Sequence, residues 1–127
     1  MTPAELMAKA SRALASAQLL LDSGDVDGAC NRAYYAMFDA ARAALLWVRA
    51  PVPAEVARTH SGLITAFSLH VVKPGLVAID HGRALNKVED LRLIADYRSD
   101  PVTVENAAWA LEQAQAFLAA VQSLSGQ

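Results

Sequence analysis

The chain has 127 residues and a mass of 13.5 kDa, with thirteen acidic and eleven basic side chains, a net charge of -2 and a pI near 5.8. That length fits one domain over 1–127 rather than two, and an apolar fraction of 54% against 19% charged excludes a disordered chain. The acidic balance excludes the broad basic field of a general nucleic-acid coat.

Alanine fills 27 positions while glycine and proline number 6 and 5, a composition that favours close-packed helices over strands. Thr2-Pro3-Ala4-Glu5 reads as a capping box with proline at the first helical position. It opens a helix over about 3–22 that carries Leu6, Ala10, Ala13, Ala17 and Leu20 on one side. Ser23-Gly24 ends that helix and Asp25 caps a second. The second helix places Cys30, Ala33, Tyr34, Met37, Ala41, Ala44, Leu45 and Val48 inward, has Arg32, Tyr35, Asp39, Arg42 and Arg49 around the other side, and runs until Pro51 and Pro53. Residues 50–58 read as a turn with one helical turn at most. Thr59 to Val72 reads as a third helix with Leu63, Ile64, Phe67 and Val71 inward, closed by Gly75 after Lys73-Pro74. From Leu76 to Arg98 the spacing of Ile79, Leu85, Val88, Leu91 and Ala95 predicts a fourth helix, weakened by Gly82 in its first turns. Ser99-Asp100-Pro101 breaks it. Thr103 caps a fifth helix to about 123, whose stripe is Ala107, Ala110, Leu111, Ala114, Phe117, Leu118 and Val121. The expected fold is all-α, an up-and-down bundle of about five helices.

Several chemistries are unsupported. His60, His70 and His81 stand ten and eleven residues apart, with no ligand pair at helical spacing, so they read as ordinary polar or partly buried histidines and no metal site is expected. Cys30, on the predicted core face and without a partner cysteine, reads as a buried protonated thiol in a reducing compartment, the cytoplasm. No Gly-x-Ser-x-Gly elbow is present, and Gly24 to Gly28 lacks the preceding strand and the lysine of a phosphate loop. Thr59 to Val72, the apolar-leaning stretch free of Asp, Glu, Lys and Arg, is too short to span a bilayer, and no cofactor is indicated.

Two polar stripes remain. On the second helix Arg32, Tyr35, Asp39 and Arg42 follow one another at steps of three, four and three residues. Such a stripe is either a solvated face or half of an anion-binding cleft, since guanidinium forks hold phosphate oxygens and a tyrosine can stack on a base. On the fourth helix Arg92 and Asp96 form an i, i+4 pair with Glu89 three residues before the arginine and Tyr97 and Arg98 at the end. Simple intrahelical ion pairing explains this equally well.

Asn31-Arg32-Ala33-Tyr34-Tyr35-Ala36-Met37-Phe38, then Ala40-Ala41-Arg42-Ala43, Thr59-His60-Ser61-Gly62, Phe67, and Arg92 with Ala95-Asp96-Tyr97 resemble the small stand-alone prokaryotic branch of the HEPN domain proteins, over nearly the whole chain. The resemblance implies a helical bundle that pairs two-fold and belongs to a toxin-antitoxin module beside a minimal nucleotidyltransferase. In the family's ribonucleases the dimer joins two copies of an Arg-x(4–6)-His motif. Here no histidine has an arginine at that spacing, and Tyr97, Arg98 and Ser99 stand where Arg92 would require one. A phenol with a pKa of about 10 or a guanidinium does not readily shuttle a proton at neutral pH.

The resemblance therefore implies a toxin-like or regulatory protein that engages RNA or a nucleotide, with Arg92, Asp96 and Tyr97 as the candidate catalytic residues of a weak ribonuclease, or with Arg92 and Asp96 orienting a phosphodiester in a pure binding module. Arg32, Tyr35, Asp39 and Arg42 would contribute binding, and Tyr97 would serve as a contact or as the tyrosine a partner nucleotidyltransferase modifies. The alternative is a non-catalytic helical dimerisation domain. A homodimer is expected on either reading, with Leu46, Trp47 and Trp109 as apolar candidates for its interface.

Overall fold

The computed structural model describes residues 1–98 and 100–126. Ser99, part of the expected break, and Gln127, the last residue of the expected domain, lie outside them. Among the described residues there are six α-helices and no strand: α1 (Pro3–Asp22), α2 (Val26–Trp47), α3 (Ala54–Ala57), α4 (His60–Phe67), α5 (Ile79–Tyr97) and α6 (Val104–Gln122), with a π-helical turn at Ser68–Val72 following α4. The all-α bundle is thus as the composition and periodicity predict. The additional helix is the single turn α3 inside the expected turn at 50–58.

The caps lie where the sequence places them. Glu5 N donates to Thr2 Oγ1 at 3.1 Å and Thr2 N to Glu5 Oε1 at 2.9 Å, closing the capping box of α1. Asp25, Thr59 and Thr103 accept from the amides of Gly28, Gly62 and Asn106 at the starts of α2, α4 and α6. α1 and α2 form a hairpin through Ser23-Gly24-Asp25, with Gly24 at φ 92°, and α6 packs against both. α5 lies along α2, and α4 bridges α2 and α5. The helix at the centre is α2, whose residues 36–41 and 43–45 are buried in unbroken runs and so point inward in every direction around its axis.

Three boundaries differ from expectation. α2 ends at Trp47 rather than at the prolines, because Arg49 turns left-handed at φ 55° and Ala50 N closes back onto Leu45 O at 2.9 Å. The third predicted helix keeps α-geometry only to Phe67. Lys73 N then reaches Ser68 O at 2.9 Å in a wide turn that holds Phe67 and Val71 both inside. Gly75, at φ 83°, and the bond from Leu76 N to Val71 O complete that cap, so α5 starts at Ile79 and not at Leu76, and Ile79 is exposed instead of inward.

The left-handed backbone of Arg49 strains any residue with a Cβ, and its side chain is exposed. Arg49→Gly should raise unfolding stability by about 0.5–1 kcal/mol in urea titration, with the slope unchanged.

Candidate functional site

α5 presents Leu85 and Val88 to the core, and the same register carries Arg92 inward four residues later. Arg92 is 4% exposed and faces α2, where its guanidinium carbon lies 4.8 Å from the ring centre of Tyr34 and 5.8 Å from that of Tyr35. The sequence places Arg92 on a polar stripe; the bundle makes it a buried charge. Two carboxylates of its own helix balance it, Glu89 at 3.9 Å and Asp96 at 3.6 Å. Both lie beyond hydrogen-bond length, and Nε, fully buried, has no hydrogen-bond partner among the described residues. Arg92 is charge-compensated, but its donors are not consumed.

One oxygen organises the cluster. Glu89 Oε2 accepts the Tyr34 hydroxyl at 3.0 Å and lies 3.9 Å from Arg92 Nη2 and 4.0 Å from His60 Nδ1. Tyr34 is fully buried, and its phenol oxygen is also 2.8 Å from His60 Nδ1. Burial first, and then the neighbouring Glu89 carboxylate, raise the Tyr34 pKa far above the ordinary phenol value, so this hydroxyl keeps its proton. The rings of Tyr34, Tyr35 and Phe38 surround the imidazole of His60 with centroids 5.6, 5.9 and 5.2 Å away. On the other flank Asn31 Nδ2 donates to Asp96 Oδ2 at 3.1 Å, the oxygen that also pairs with Arg92.

His60 owes its position to the start of α4. Thr59 caps the helix, and Gly62 leaves no room for a Cβ against the Val56 carbonyl and the Thr59 hydroxyl, so this tight entry seats His60 at the first helical position.

The structure divides the polar stripe of α2. Tyr35 and Arg32 join the Arg92 cluster: the Arg32 guanidinium carbon is 5.4 Å from the Tyr35 ring centre, and its Nε is likewise buried without a partner. Asp39 and Arg42 do not join it. Asp39, 5% exposed, pairs with Arg42 at 3.7 Å and feels Lys9 of α1, and Arg42 lines a groove with Met1 and Leu6. Tyr97 is the last residue of α5 and 76% exposed. Burial drives the Cys30 thiol up to about 11, with Asp27 and Asp96 adding to the shift, which keeps it protonated at neutral pH. Among the described residues no three His, Cys, Asp or Glu side chains are placed to hold a metal ion, and no helix is long and apolar enough to cross a membrane. Of the three groups that meet at Glu89 Oε2, Arg92 was singled out by sequence; Tyr34 and His60 were not. The signal for Tyr34 was a phenol at a core position, which requires a polar partner.

Asp39 carries a pH signature. Burial raises its carboxyl pKa, and Lys9, Arg42 and Arg32 only partly offset this. The folded state therefore binds the proton more tightly than the unfolded chain, so ionised Asp39 costs stability at neutral pH. That cost is relieved as pH falls through the raised value towards the ordinary aspartate range. In denaturant titrations across the weakly acidic range, wild type should gain stability relative to Asp39→Asn as pH is lowered.

The model of the HEPN domain family matches residues 4–124. The UPF0332 protein glr0978 of Gloeobacter violaceus is 37% identical over 99 residues, 76% of this chain and 75% of the relative. A Methanocaldococcus jannaschii protein named "Putative toxin MJ0605" is 33% identical over 105 residues, 83% of this chain and 75% of that one. A UPF0332 protein of Thermotoga maritima is 32% identical over 117 residues, 91% and 85%. With the helical bundle and a match over nearly its whole length, this chain belongs to the HEPN domain family.

Proposed function

We propose that this chain is a toxin-like or regulatory HEPN protein of a two-gene module, that it engages RNA or a nucleotide phosphate at the Arg92 cluster, and that it works as a two-fold homodimer. Arg92 carries the reading. A buried guanidinium whose charge is balanced but whose donors are left over is costly to a helical bundle as mere packing, and it suits a site completed by an oxyanion. Arg32 lies 5.4 Å from the centre of the same partly buried Tyr35 ring that Arg92 approaches, and its buried Nε likewise has no hydrogen-bond partner among the described residues, so a stacking base would meet two guanidinium groups near one ring. Toxin-like character is supported by the family and by the archaeal relative with toxin in its name. Tyr97 stands exposed two turns from Glu89 on the same helix, open to a contact or to modification by a partner nucleotidyltransferase.

One observation favours the alternative of a non-catalytic interaction domain: Glu89 and Asp96 already neutralise Arg92, so the cluster is stable electrostatically without a ligand. Binding separates the two readings. Fluorescence anisotropy with short single-stranded RNA and with ATP should show saturable binding to wild type. Affinity should fall about tenfold in Arg92→Lys, which keeps the charge but loses the fork, and also in Arg32→Gln. Light scattering should give twice the 13.5 kDa of the chain. Unchanged affinity in both variants, with normal circular dichroism, would leave the interaction domain as the answer.

A further inference from the structure

We infer that the groove between the end of α2 and α3 is a binding site for a medium-chain monocarboxylate, with Arg42 and Arg58 on the carboxylate and Leu6, Leu45, Leu46 and Val52 around the alkyl chain. The site is separate from the Arg92 cluster and independent of its function.

A strained turn builds the groove. Arg49, left-handed at φ 55°, folds the chain back so that Ala50 N bonds to Leu45 O at 2.9 Å and Val52 N to Ala50 O at 2.8 Å. A residue with a Cβ keeps this conformation only where its surroundings fix it, and strain of this kind gathers at binding sites. The product here is a concave wall. Ala50 and Val52 stand against Leu45 and Leu46 of α2, and Leu6 of α1 and Ala57 of α3 close a space of about 280 Å³. Leu6 and Leu45 are buried, whereas Leu46 is half-exposed, an apolar rim that the fold itself leaves uncovered.

Charge selects the ligand. Both charged side chains lining the groove are arginines. Behind Arg42 lies the buried Asp39, whose Oδ1 is 3.7 Å from Arg42 Nη1, and the Arg42 side chain is 30% exposed. At that length Asp39 balances the guanidinium without consuming its donors. Arg58 has no carboxylate in ion-pair range among the described residues. Two guanidinium groups against one carboxylate leave a single positive charge beside apolar walls. A monoanion neutralises it, whereas a phosphate dianion would leave an uncompensated charge next to Leu45 and Val52. A carboxylate also matches the planar arginine fork. The volume stands at the lower end of small-molecule sites, which run from about 300 to 1,000 Å³, and suits a chain of roughly eight carbons.

The test titrates octanoate into the full chain at neutral pH, by calorimetry and by methyl NMR spectra of Leu45 and Val52. Wild type should bind one equivalent below the concentration at which octanoate forms micelles, with both methyl signals shifting. Each methylene added from hexanoate to octanoate should tighten binding about three- to fourfold, as a CH₂ moved from water to an apolar wall does. Octanol, with the chain but not the charge, should bind at least about tenfold more weakly, and Arg42→Gln and Arg58→Gln should each cost about tenfold. Leu46→Asp, at an exposed position and folded by circular dichroism, should abolish binding. No saturable binding, an affinity that ignores chain length, or unchanged affinity in Arg58→Gln and Leu46→Asp overturns the site. Methyl shifts that follow protein concentration and not octanoate assign the groove to a second copy of the chain and overturn it equally.

Discussion

The backbone of α2 can be enclosed on every side only because so many of its buried positions are alanine. Ala29, Ala33, Ala36, Ala40, Ala41, Ala43 and Ala44 let α1, α6, α5 and α4 approach it closely, while Met37, Phe38 and Leu45 fill the wider gaps. A helix enclosed in this way has almost no room for polar groups, so each one it carries must find a partner inside the bundle. Tyr34 is the consequence. Its ring is core, its hydroxyl has no route to solvent, and the partners that satisfy it come from α4 and α5.

Once Tyr34 requires an acceptor at that depth, the rest of the cluster follows electrostatically. Glu89 supplies the acceptor, a half-buried carboxylate favours a nearby cation, and Arg92, one helical step on and stacked on Tyr34, provides it. Asp96 and Asn31 close the far side. Buried ion pairs are often no more stabilising than well-packed apolar residues, so stability alone does not account for a largely buried guanidinium whose Nε has no hydrogen-bond partner among the described residues. The same α2 face is used differently at its other end. There the buried Asp39 faces Arg42 of its own helix at 3.7 Å, with Lys9 of α1 adding positive charge nearby.

The entry to α4 has the opposite physical character, with local turn chemistry in place of deep packing. The Thr59 cap and the missing Cβ of Gly62 set where the helix begins, and the π turn at Ser68–Val72 returns Val71 to the core before α5 departs. His60 is held between these local constraints and the aromatic wall of α2, with Nδ1 engaged by the Tyr34 hydroxyl.

Much of this molecule is written locally and was legible in the chain alone: the capping box at Thr2 and Glu5, the caps at Asp25, Thr59 and Thr103, the alanine-rich stripes, and the Arg92–Asp96 pair depend only on residues three or four positions apart. The ends of α2 and of the third predicted helix were not legible. A left-handed Arg49 and a π turn are backbone solutions to packing against other helices, and no residue type signals them. The candidate site lies further still from sequence, because His60 and Arg92 are related through a carboxylate and a phenol on two different helices and through no fixed spacing. Counting residues from arginine to histidine therefore finds nothing, whereas folding α2 against α4 and α5 brings Tyr34, His60 and Glu89 into contact. Helix periodicity is a property of neighbours along the chain; convergence on one buried oxygen is decided only by how the helices pack.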